Sequence, residues 1–157
     1  MIAKQIIRSI LLIVALGSLG IWANREYRKS HAAAVPAAAE DIPAVSGEQV
    51  VMTYFISGTR CSSCRRIEAL ARETAERDFA PELAGKRLVF RVIDTGEAAN
   101  RHYANDYHLT SKTVILSHRR EGREIEWADM SKVWDLLDDA EGFHAYLGAQ
   151  VRSYLGT

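Results

Sequence analysis

The chain has 157 residues, with 20 Lys+Arg balanced by 20 Asp+Glu, 48% apolar residues and 3 Pro. That length accommodates one domain plus an appendage, and the mixture of apolar and charged residues excludes global disorder. A formal net charge of zero gives no support to nucleic-acid binding, which needs a basic face, and 2 cysteines exclude both a disulfide framework and a four-cysteine zinc site.

Residues 1–29 read as a membrane anchor. No charged residue occurs from Ser9 to Ala23, a run dense in Ile, Leu and Val, and Lys4 and Arg8 precede it. Extended back to Ile6, the segment approaches the roughly 20 residues that a spanning helix needs, with Arg8 placed to snorkel. Ile21-Trp22-Ala23 is a poor cleavage site, so an uncleaved anchor is favoured over a removed signal. No cysteine follows closely, which excludes a lipoprotein signal. Arg25, Arg28 and Lys29 nearly balance the positive charges ahead of the run, so charge fixes orientation poorly. An N-terminal anchor of this kind normally sends the chain out of the cytoplasm, and the expectation is a single-pass protein of the cytoplasmic membrane with its domain on the outer face. Residues 30–47, rich in Ala and Pro with no amphipathic period, read as a linker. The domain proper is expected over 48–157.

Within it, Gln49–Ile56 is β-branched and aromatic, which predicts a strand. Ser57-Gly-Thr-Arg60 predicts a turn. Ile67, Leu70, Ala71, Thr74 and Ala75 then recur at helical spacing, giving one apolar stripe on a helix from about Cys61 to Phe79, stopped by Pro81 and Gly85. Arg87–Asp94 is nearly continuous in apolar residues, as a strand covered on both faces would be. Ala98–Tyr107 predicts a short helix and Thr113–Ser117 a third strand. Arg119–Arg123 predicts a polar hairpin into a fourth strand at Glu124–Trp127. After Ser131, Val133, Trp134 and Leu137 mark a short helical piece. Phe143, Tyr146, Leu147, Val151, Tyr154 and Leu155 mark a final helix.

Strands joined through a helix pair in parallel, and strands joined by a tight turn pair antiparallel. The order therefore predicts an α/β domain with a four-stranded mixed sheet flanked by helices, an arrangement that resembles the thioredoxin-like fold.

Cys61-Ser-Ser-Cys64 falls where the first strand hands over to the first helix. A helix N-terminus presents unpaired N–H groups and a partial positive charge, which stabilise a thiolate. Arg60, Arg65 and Arg66 add positive charge within one turn. Cys61 is therefore the candidate nucleophile, and Cys64, one turn in, the candidate resolving thiol. An inert structural disulfide is the bland alternative, although so short a loop gains little stability. A half zinc site needs two further ligands. His102, His108, His118 and His144 show no ligand spacing to the cysteines, and each reads as a surface histidine. A copper site on both thiolates stays open.

The stretches Tyr54-Phe-Ile-Ser-Gly-Thr-Arg-Cys-Ser-Ser-Cys-Arg-Arg-Ile-Glu68 and Asn100-Arg-His-Tyr-Ala-Asn-Asp-Tyr-His-Leu109, with Glu126-Trp127 and Phe143-His-Ala-Tyr146, carry a narrower likeness. From about Val50 to Leu155 the chain resembles the thioredoxin-like family named "nitrophenyl compound nitroreductase subunit ArsF". The resemblance implies the fold and a thiol electron-transfer or accessory role beside another protein. The chain itself shows no glycine-rich dinucleotide fingerprint, and no cofactor is expected.

Redox thioredoxins carry a cis-proline just before the third core strand. The matching stretch here, Leu109–Leu116, places Ser111 or Lys112 there. If Lys112 stands beside Cys61, its ammonium favours the thiolate; the alternative is a solvated loop lysine. The first strand has Thr53 and Tyr54 where a buried carboxylate would move protons for the pair. Phe55, Phe79, Phe90, Trp134 and Phe143 read as core. Trp127 reads as an edge-strand aromatic packed on the last helix, and Arg119-Arg120 and Asp138-Asp139 as solvated loop ends.

The expected activity is thiol–disulfide exchange, a thiol–disulfide oxidoreductase chemistry, with Cys61 and Cys64 reacting and Arg60, Arg65 and Lys112 stabilising thiolate. The expected partner is a protein thiol or disulfide, or a membrane redox partner. A non-catalytic accessory module and a thiolate metal carrier are the alternatives.

Overall fold

The computed structural model describes residues 42–157. The expected anchor lies outside the described residues, as does the linker up to residue 41. Strand β1 spans Glu48–Ile56 and helix α1 Ser62–Asp78. Helix α2, Ala80–Ala84, follows directly, and strand β2 spans Leu88–Asp94. A 3-10 turn at Ala98–Asn100 leads into α3, His102–Asp106. Strands β3, Thr113–Arg120, and β4, Arg123–Asp129, precede a 3-10 turn at Ser131–Trp134 and helix α4, Ala140–Leu155.

The sheet order is β2-β1-β3-β4. β1 pairs parallel with β2 and antiparallel with β3, and β3 pairs antiparallel with β4. This mixed four-stranded sheet with helices on both faces is the thioredoxin-like arrangement, and the pairing itself shows it.

Alternation along β1 divides the interior. Val50, Met52, Tyr54 and Ile56 face one side, where Ile67, Leu70, Ala71 and Ala75 of α1 meet Phe143, Leu147 and Val151 of α4. Phe55 points to the other side, where Ile115, Tyr103 and Tyr107 form a smaller cluster, as the two-residue period of a strand requires. β1 is central, so both of its faces are covered.

Several expectations are corrected. β2 is an edge strand in which only Leu88 is buried, although Phe90 and Val92 pack on the larger cluster and Ile93 on the smaller one. Phe90 is accordingly half-buried, with the Arg72 guanidinium over its ring at 4.7 Å. The first helix ends at Asp78, ahead of Pro81 as expected, but Pro81 opens a further short helix. It stands at the first turn of α2, where a missing N–H costs nothing. Trp134 is half-buried. Trp127 packs edge-on against Tyr107, with centroids 5.4 Å apart, on the face away from α4.

His118 and His144 are buried rather than on the surface. His118 bonds Glu48 at 2.6 Å and Glu126 at 3.1 Å and stacks on Tyr154. His144 meets the Thr74 hydroxyl at 2.8 Å. Asp139 is a helix cap, accepting from Gly142 N at 2.9 Å, and Arg120 pairs with Glu48 at 2.6 Å.

The β3–β4 turn is a two-residue hairpin with Glu121 at φ 51° and Gly122 at φ 75°. Positive φ at both central residues matches the strand twist and calls for glycine at the second. Residues 42–47 adjoin the sheet: Gly47 exchanges hydrogen bonds with Glu121, and the Gln49 amide donates to Pro43 O at 2.9 Å.

Candidate functional site

Cys61 is the N-cap of α1. Its backbone is extended, and its sulfur accepts from Cys64 N at 3.1 Å, satisfying one of the N–H groups that a helix start leaves unpaired. The first turn of α1 carries no acidic residue, so nothing there repels a thiolate. Cys64 lies one turn in, on the same apolar stripe as Ile67 and Ala71, and is 1% exposed. The helical period thus gives the two sulfurs different surroundings: Cys61 at the solvent-exposed cap, Cys64 against the core. They are joined by a disulfide, with Cα atoms 5.0 Å apart.

The three flanking arginines point elsewhere. Arg60 pairs with Glu68 at 2.6 Å, Arg65 donates to the Arg60 carbonyl at 3.0 Å, and Arg66 donates to the Leu137 carbonyl at 3.0 Å. Their charge reaches the pair through space rather than by direct contact. Lys112 lies on the segment that enters β3. Its ammonium donates to the Thr59 carbonyl at 2.6 Å and stands 3.6 Å from Cys64 Sγ. Of the two readings the sequence leaves open for Lys112, a place beside the pair or a solvated loop, the structure shows the ammonium against the pair, in contact with Cys64 Sγ. The turn 57–60 holds the ammonium there through the Thr59 carbonyl.

Sequence reasoning misses what holds this geometry. The Trp134 indole N–H donates to the Lys112 carbonyl at 2.7 Å. The Asp94 carboxylate accepts from Gly58 N at 3.3 Å and Gly96 N at 2.8 Å, tying the turn ahead of Cys61 to the end of β2. Thr95 N bonds the Ile56 carbonyl at 2.8 Å. The parallel register that sets Ile56 beside Asp94 is the only warning of that clasp, and it comes from the topology.

Beneath α1, Tyr54 is fully buried, and its hydroxyl finds no hydrogen-bond partner among the described residues. Burial, reinforced by the Glu68 carboxylate and opposed by Arg60, pushes the hydroxyl up to about 12. The group is therefore neutral and protonated at any physiological pH. A cleft of about 220 Å³ opens between the end of β1 and the segment ahead of β3, bordered by Phe55, Ser57, Leu109, Ser111 and Lys112. It has the size of one or two side chains and adjoins the lysine.

Among the described residues, no group of three or more His, Cys, Asp or Glu is placed to hold a metal ion, and no helix is long and apolar enough to cross a membrane.

No family model matches the chain, and no curated protein matches it. Among solved structures it is similar to the thioredoxin of Fasciola hepatica, at 18% identity over 59% of this chain and 81% of that one, with a TM-score of 0.32. Nothing in these comparisons supports the narrower nitroreductase-subunit resemblance.

Proposed function

We propose that the domain carries out thiol–disulfide exchange with protein substrates, Cys61 being the sulfur that meets the substrate and Cys64 the one that completes or releases the bond. One observation carries the reading: a disulfide bridges an exposed helix-cap sulfur and a buried sulfur one turn in. A purely structural cross-link so short would contribute little by loop closure, whereas exchange needs one reachable sulfur and one shielded one. The helix N-terminus and the through-space charge of Arg60 and Arg65 favour the Cys61 thiolate. Residues 1–29 tether the domain to the cytoplasmic membrane, and the domain works on the outer face, where dithiols are oxidised.

The test is the reduction potential of the Cys61–Cys64 pair in the purified full chain, equilibrated with glutathione under metal-free conditions. A reversible two-electron couple between about −120 and −270 mV is expected. A pair that never closes, or one that stays oxidised well below about −300 mV, retires the reading.

One observation favours a second reading, a non-catalytic accessory module. Lys112, and not proline, precedes β3, and its ammonium is bound to the Thr59 carbonyl. A closed, unreactive pair in the same titration would favour it.

A further inference from the structure

The Lys112 ammonium reaches the buried sulfur of the pair, 3.6 Å from Cys64 Sγ. Two hydrogen bonds place it there, one from its own ammonium to the Thr59 carbonyl at 2.6 Å and one from the Trp134 indole to the Lys112 carbonyl at 2.7 Å. A buried thiol is ordinarily hard to ionise; a cation within about 4–6 Å reverses that preference. The other titratable groups on the neighbouring elements are differently engaged. On α1, Arg60 pairs with Glu68 and Arg65 with a backbone carbonyl. On β1, Tyr54 stays protonated. On β4, Asp129 accepts from the Thr113 hydroxyl at 2.6 Å. Among the described residues, Lys112 is the cation in contact with the sulfur.

We propose that Lys112 stabilises Cys64 as the leaving thiolate, which directs an incoming substrate thiolate to Cys61 and biases the pair toward giving its disulfide to protein dithiols. This rests on the exchange reading above. A substrate thiolate attacks Cys61 Sγ. As the new S–S bond forms, the Cys61–Cys64 bond breaks and its electron pair leaves on Cys64 Sγ, beside the ammonium. A second substrate thiolate attacks the substrate sulfur of the mixed disulfide, and Cys61 departs as a thiolate. The substrate dithiol loses two electrons and two protons, the pair gains the electrons, and the protons pass to solvent or to the cysteine thiolates according to their acidity. A more acidic leaving thiol departs faster, and a stabilised reduced state makes the couple a stronger oxidant.

The test uses the full chain labelled with ¹³Cβ-cysteine, reduced and titrated in Cys61→Ser and Cys64→Ser backgrounds. Lys112→Met is expected to raise the Cys64 midpoint by about one pH unit and to move Cys61 less, with Lys112→Arg restoring the Cys64 value. In the chain with both cysteines, Lys112→Met is expected to weaken oxidation of glutathione about tenfold, roughly 30 mV in the couple. Should Lys112→Met fail to fold, Lys112→Gln keeps a donor for the Thr59 carbonyl without the charge. An unmoved Cys64 midpoint, or a Cys61 midpoint that moves as far, overturns the assignment. A wild-type pair that does not exchange with glutathione overturns the exchange reading and the directional bias with it, while the titration still decides the pairing of Lys112 with Cys64.

Discussion

Trp134 and Lys112 stand on either side of the β3–β4 hairpin, and the indole N–H of one donates to the carbonyl of the other at 2.7 Å. The 3-10 turn after β4 thereby fixes the backbone of the segment that carries the ammonium to Cys64. Trp134→Phe keeps most of the packing and removes the donor. We expect a loss of about 1 kcal/mol in denaturant unfolding and a Cys64 midpoint displaced toward the Lys112→Met value. A variant that loses stability and leaves the Cys64 midpoint untouched would show that the indole supports only the fold.

The two cysteines are expected to behave differently when removed one at a time. In Cys64→Ser the exposed Cys61 remains and its mixed disulfides cannot be resolved, so covalent adducts with substrate proteins should accumulate. In Cys61→Ser the remaining sulfur is buried, and adducts should be at least tenfold fewer at equal exposure to an oxidised protein mixture, following from the dependence of exchange on access. Non-reducing electrophoresis and mass spectrometry read the outcome. Equal trapping by both variants would remove the division of roles.

The difference in exposure between the two cysteines is legible in the sequence, and the geometry around them is not. A helix-cap position for Cys61 follows from the strand that ends at Ile56 and the apolar stripe that begins at Ile67, because both are local patterns. The contact of Lys112 with Cys64 depends on a crossover and on a turn folding over the lysine, and no local period encodes either. Likewise, the near-continuous apolar residues of Leu88–Ile93 could not reveal that β2 lies at the sheet edge; only the strand order decides that. From sequence alone His118 and His144 read as surface residues, since nothing local marks them as buried. Each is buried because a partner from a distant element, Glu48 or Thr74, satisfies its ring. β3 runs on to Arg120 for the same reason: Glu48 meets Arg120 and His118 across the pair of strands.

Tyr54 offers a test at alkaline pH. Its hydroxyl is raised from an ordinary value of 10.0 to about 12 by burial and the Glu68 carboxylate. The folded state therefore prefers the neutral form more strongly than the unfolded chain does. That contribution is fully present below about pH 10 and is lost as pH rises through about 12. Tyr154, raised to about 12 chiefly by burial, acts in the same sense. Tyr54→Phe removes a buried hydroxyl that has no partner among the described residues, so at pH 7 it is expected to be neutral or to stabilise by up to about 1 kcal/mol. Above pH 10 its unfolding free energy should fall less steeply than that of the wild type. Denaturant midpoints between pH 7 and 11 measure this, and parallel curves for the two proteins would contradict it.

Glu48 predicts the opposite limb. The Arg120 hydrogen bond, aided by His118, holds its carboxyl below the ordinary value of 4.5. A carboxylate more acidic in the folded state stabilises the fold above its unfolded value, and that stabilisation is lost as pH falls through the folded value. Glu48→Gln is therefore expected to lower the denaturant midpoint at pH 7, and the gap from wild type should narrow steadily below about pH 4.5. His118 keeps a partner in Glu126 in that variant, so the protein should stay folded and measurable throughout. High salt should shrink the neutral-pH gap, because the Arg120 side of the pair is open to solvent and screened there. A gap that stayed constant from pH 7 to pH 3 would mean that Glu48 acts through packing at the start of β1, with its charge contributing nothing.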